Sequence, residues 1–213
     1  METQTLATDA LRRRAIVHAL RLEYLTVGWN LLEGFVAVAA AAAAGSVALL
    51  GFGIDSFVEC ASGSILIWRL FAERGGERHD VVEQLDRRAR RLVAVSLYLL
   101  ALYVAADGVW TLWRRERPQV SPVGIAVTLL SIAVMIWLGR AKLRSATTLG
   151  SRALASDALQ TNLCWWLSVI TLAGTGLNAA LGWWWADPVA ALGISYLAVR
   201  EGREAWRGES CCR

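Results

Sequence analysis

Two acids in the middle of an apolar run are where chemistry could happen in this 213-residue sequence. Asp55 and Glu59 lie in the stretch Gly51-Phe52-Gly53-Ile54-Asp55-Ser56-Phe57-Val58-Glu59-Cys60, inside an apolar segment from about Val47 to Leu70. Four residues apart, they share one face of a helix, one turn from each other. An acid at the centre of a bilayer costs roughly 2.5–3.5 kcal/mol on insertion scales. Two in register therefore point to a place for an ion or for protons. The plainer alternative is a buried polar pair satisfied by hydroxyls or water from neighbouring helices, and one acid is accommodated that way more easily than two.

A second polar stripe lies far along the chain. Asp157, Gln160, Thr161 and Cys164 recur at three- and four-residue spacing in an otherwise apolar segment, so they share one helix face. The ligand set that follows is Asp55, Glu59, Gln160 and Cys164, with Asp157 one turn away. Asp157 also falls within a turn of the expected helix start, where it would serve equally well as a cap. Two carboxylates, an amide oxygen and a thiolate suit a borderline or soft divalent ion, with Zn²⁺ first and Cd²⁺, Co²⁺ or Fe²⁺ as alternatives, over Mg²⁺ or Ca²⁺. Close carboxylates in a low dielectric resist joint ionisation without a cation, and metal binding releases their protons. A site holding either metal or protons, opened to each side in turn, is a metal/proton antiporter. Enzymatic chemistry has no support: no expected span holds a histidine, and neither a Ser/His pair nor an HExxH motif appears.

These residues need membrane helices to position them. Hydrophobic residues make up 56% of the chain, mean hydropathy is +0.43, and several runs are long enough to cross a bilayer. Six spans are expected: about 24–44, 47–70, 92–113, 123–138, 154–177 and 188–199. Residues 1–23 read as a polar cytosolic lead-in with an amphipathic surface turn, 24–199 as one transmembrane domain, and 200–213 as a short cytosolic tail. Asn30 and Glu33 are the polar members of the first span, and Glu33 either faces the cavity of Asp55 or reaches toward the interface. His79-Asp80 lies in a charged loop that reads as solvated, with a peripheral metal site as the alternative. All but Arg114, Arg115 and Arg117 of the 22 Lys and Arg fall on one side of the expected topology. The positive-inside rule then places both termini in the cytosol, in a bacterial plasma (inner) membrane. The net charge of +4 reflects this topology, so nucleic acid is not an expected partner. The four cysteines, Cys60, Cys164, Cys211 and Cys212, form no disulfide framework, and no cleaved signal peptide is recognisable.

The order of motifs resembles the cation diffusion facilitator family. Asp55-Ser56-Phe57-Val58-Glu59 has the spacing of that family's second-span acids, with Glu in the last place. Ser156-Asp157-Ala158-Leu159-Gln160-Thr161-Asn162-Leu163-Cys164 is similar to its fifth-span Ala-Asp-Ala-Leu-His-x-x-x-Asp, with Gln160 for His and Cys164 for Asp. Trp185-Ala186-Asp187-Pro188 and Arg200-Glu201-Gly202 match the ends of its sixth span. The resemblance covers about residues 24–206. It implies an all-α, polytopic six-helix bundle, a homodimer in the lipid bilayer, and export of a divalent metal cation as transported substrate against protons, with no separate cofactor. It also implies a short form without the family's cytosolic metal-binding domain, in which Cys211-Cys212 is either a remnant metal-sensing tail or an unstructured end. A non-transporting metal-binding subunit or regulator on the same fold is the alternative that Gln160 and Cys164 keep open.

Overall fold

The computed structural model describes residues 2–75, 79–149 and 152–207. The side chains of His79 and Asp80, and Cys211 and Cys212, lie outside the described residues. The described residues form six α-helices and no strand: α1 (Glu2–Ala44), α2 (Val47–Gly75), α3 (His79–Arg114), α4 (Pro122–Leu149), α5 (Arg152–Leu181) and α6 (Ala186–Arg207). Five contain segments long and apolar enough to cross a membrane: Ala15–Ala44, Val47–Phe71, Ala94–Arg114, Pro122–Leu149 and Cys164–Leu181. The sixth helix falls short by that measure. It carries Asp187 in its first turn and Arg200, Glu201, Arg203, Glu204 and Arg207 in its second half. It nonetheless packs along α3 and also meets α2 and α5. Large apolar side chains such as Phe35, Leu99, Leu102 and Trp113 face outward, the inside-out pattern of a protein whose solvent is lipid. This is an all-α, polytopic integral membrane protein.

The second helix is the hub, because it packs against α1, α3, α5 and α6. Its Leu49 and Phe52 join Ala37 and Ala41 of α1, Val104 of α3, Leu167 of α5 and Ile194 of α6 in the main core cluster. Close approach of α1 and α2 depends on glycine. A Cβ at Gly53 would lie 2.9 Å from the backbone nitrogen of Val38, and one at Gly34 would lie 3.1 Å from the carbonyl oxygen of Gly53. Any larger residue at either position would have to push the two helix backbones apart.

The start of α2 is fixed by a residue from the far end of the chain. Gly45, with φ 67°, ends α1, and its amide and that of Ser46 both donate to the Ala41 carbonyl. Ser46 Oγ then accepts from the Leu49 amide, as an N-cap. Asp187 at the start of α6 takes the next donors: its Oδ1 accepts from Ser46 Oγ at 2.5 Å and its Oδ2 from the Val47 amide at 3.0 Å. The Trp-Ala-Asp-Pro motif thus supplies a carboxylate to the positive end of another helix.

The first helix differs from expectation. It runs unbroken through residue 24, and Ile16, Ala19 and Leu20 pack with Leu66, Leu70, Ala146 and Leu154. The expected surface turn is an inward extension of the bundle. Its partners α2, α4 and α5 also continue past their most apolar segments and give it an apolar groove to fill.

Candidate metal centre

The second helix presents Asp55 and Glu59 on one face, and α5 presents Cys164 opposite them. One ligand atom from each of the three lies within 4.8 Å of the other two. Asp55 and Cys164 are buried, 5% and 4% exposed, while Glu59 is half-buried. The Cys164 thiol donates to Glu59 Oε1. Neither Cys164 nor Cys60 is in a disulfide. The bundle therefore gathers two carboxylates and a thiol in a region largely closed to solvent. Such a group is costly unless protons or a cation balance it.

The first helix closes the other side. Asn30 Nδ2 donates to Glu59 Oε2 at 2.8 Å. One turn on, the buried Glu33 accepts from Ser56 Oγ at 3.3 Å and from Ser131 Oγ of α4 at 2.9 Å. Ser168 of α5 lies within 3.3 Å of Ser131 Oγ and bonds back to the Cys164 carbonyl. Glu33 thus faces the bundle interior rather than the interface. Ser131 and Ser168 were not singled out from the sequence; their only signal is a lone hydroxyl inside an apolar run.

Asp157 belongs to a different cluster. It pairs with Lys142 of α4, whose Nζ also donates to Glu23 Oε2 of α1 at 3.0 Å. Lys142 is 1% exposed and Glu23 is 0% exposed. Asp157 is therefore neither in the group around Asp55 nor a helix cap, since it sits five residues past Arg152, the first residue of α5. An adjacent ammonium satisfies it without an ion. Two readings change with it: Lys142, counted among the cytosolic positive charges, is a core residue, and Glu23, assigned to the polar lead-in, is fully buried. The Gln160 side chain lies outside the described residues, so the described part of the expected ligand set is Asp55, Glu59 and Cys164.

With six packed helices and acids of one helix facing a thiol of another, the class of protein is defined by residues 24–207. This segment matches the cation efflux transmembrane domain, and the chain belongs to the cation efflux family. Among curated relatives, it is 25% identical to the uncharacterized transporter sll1263 of Synechocystis sp. over 186 residues, covering 86% of this chain and 60% of that protein. It is 29% identical to the cation-efflux pump FieF of Klebsiella pneumoniae subsp. pneumoniae over 171 residues, covering 76% of this chain and 56% of the pump. The chain thus spans about three fifths of the length of these relatives.

Proposed function

We propose that this chain carries a divalent transition-metal ion, Zn²⁺ foremost, out of the cytosol in exchange for protons. The observation that carries this reading is the convergence of Asp55, Glu59 and Cys164 ligand atoms within 4.8 Å. Around one ion, with metal–sulfur near 2.3 Å and metal–oxygen near 2.0–2.2 Å, tetrahedral ligand atoms stand about 3.5 Å apart. The three ligand atoms lie within a span that small side-chain adjustments bring to that spacing. Two carboxylates and a thiolate bring three negative charges, so a divalent ion neutralises most of the charge and the thiolate favours Zn²⁺, Cd²⁺, Co²⁺ or Fe²⁺.

The same contact supports proton exchange. The Cys164 thiol donates to Glu59, so its proton lies between two ligands. Only the thiolate binds metal, so loading the ion displaces that proton. The outward direction is supported by the positive-inside count and by the efflux function in the printed name of the Klebsiella relative.

The test is metal uptake into proteoliposomes with an internal pH indicator. Wild-type protein moves Zn²⁺ inward down its gradient and protons out, and Asp55→Ala slows both at least about a hundredfold. Equal fluxes in the two proteins would remove Asp55 from the transport path. Cys164→Ser shifts preference from Cd²⁺ and Zn²⁺ toward harder ions. An unchanged selectivity series would remove Cys164 from contact with the ion.

A further inference from the structure

Resting on that reading of the site, we infer that α1 is part of it: the side-chain oxygen of Asn30 is a further donor to the ion held by Asp55, Glu59 and Cys164. Asn30 is 0% exposed, and its Nδ2 is committed to Glu59 Oε2 at 2.8 Å. Its Oδ1 is buried and has no hydrogen-bond partner. With Glu59 ionised, as a metal ligand must be, the opposite orientation of the amide would set two acceptors against each other, so the nitrogen faces the carboxylate and Oδ1 is left open. The two heteroatoms share one carbon, which keeps Oδ1 beside the carboxylate that its nitrogen holds. Buried amide oxygens are rarely left unsatisfied in native proteins. An oxygen without a donor beside Glu59, itself one of the three gathered ligands, is matched by a cation, to which amide oxygens are ordinary ligands.

The packing of α1 on α2 keeps it there. Gly34 lies one turn beyond Asn30 and rests against Gly53 and Phe57 of α2. That close contact one turn away holds Asn30 within hydrogen-bonding reach of Glu59. Three oxygens and one sulfur from three helices would complete a four-coordinate shell. Loading would then draw α1, α2 and α5 together.

A residue that merely orients Glu59 through its N–H makes different predictions, and Co²⁺ on the purified full-length protein separates them. Thiolate bound to Co²⁺ gives a charge-transfer band that reports Cys164, and the d–d bands report the rest of the donor set. Asn30→Leu is expected to keep the charge-transfer band, shift the d–d bands and weaken Co²⁺ binding about tenfold. Asn30→Asp puts a charged oxygen at the open position and is expected to tighten Co²⁺ binding about tenfold. If Asn30 only orients Glu59, exchanging its donor for an acceptor weakens binding instead. Unchanged d–d bands in Asn30→Leu, or Co²⁺ binding by Asn30→Asp that is not tighter than wild type, overturns the assignment. Should Asn30→Leu not fold, the direction of the Asn30→Asp change decides alone. A charge-transfer band absent from wild type, or surviving in Cys164→Ser, would instead overturn the ion site itself.

Discussion

Replacing Lys142 with Met should destabilise this protein markedly. Met keeps the length and the apolar stem of Lys but removes the ammonium that holds Glu23 and Asp157. The pair with Glu23 spans 3.0 Å, with the two side chains 1% and 0% exposed. At an effective dielectric of about 20, a pair at that distance is worth ~5.5 kcal/mol of gross Coulomb attraction. Part of this is returned because the ammonium itself no longer has to be desolvated. Breaking a buried pair from one side costs about 3–5 kcal/mol, chiefly because a buried charge is left behind. Here two carboxylates on different helices, α1 and α5, would be left close together. For a chain of this size that is a fall in Tm of roughly 10 °C, read from tryptophan fluorescence on heating in detergent. The triple variant Glu23→Gln/Lys142→Met/Asp157→Asn removes all three charges at once and should recover most of the loss. A Tm for Lys142→Met within about 1 °C of wild type, or a triple variant no more stable than the single, would refute the argument.

Two further predictions concern the frame around the site. Gly53→Ala drives a Cβ to within 2.9 Å of the Val38 backbone nitrogen, so it should cost about 1–3 kcal/mol of stability and weaken metal binding by moving Asn30 from Glu59; thermal scans and a binding titration measure the two effects. Asp187→Ala removes the acceptor of Ser46 Oγ and the Val47 amide, and should lower stability by about 1–2 kcal/mol while leaving metal affinity in the assembled protein unchanged.

The local parts of this protein were legible in its sequence because they depend on short spacings. Asp55 and Glu59 fall on one face because four residues make about one helical turn, and no fold could separate them while the helix stands. Membrane insertion was equally plain, since it follows from the summed hydropathy of single segments. The order of motifs was enough to indicate the cation efflux family. Contacts across helices were not available in the same way. Lys142 belongs by composition with Arg140 and Arg144, and only the packing of α1 against α4 turns it inward to meet Glu23. Asp157 shares a stripe with Cys164, yet they are seven residues and two turns apart along α5, so one meets an ammonium while the other meets Glu59. Asn30 was visible as a polar residue, but its closeness to Glu59 comes from glycines that bring α1 onto α2. Periodicity specifies a face of one helix; which face of which neighbour it meets is set by shape complementarity summed over the whole bundle, and that sum is settled only when the six helices pack together.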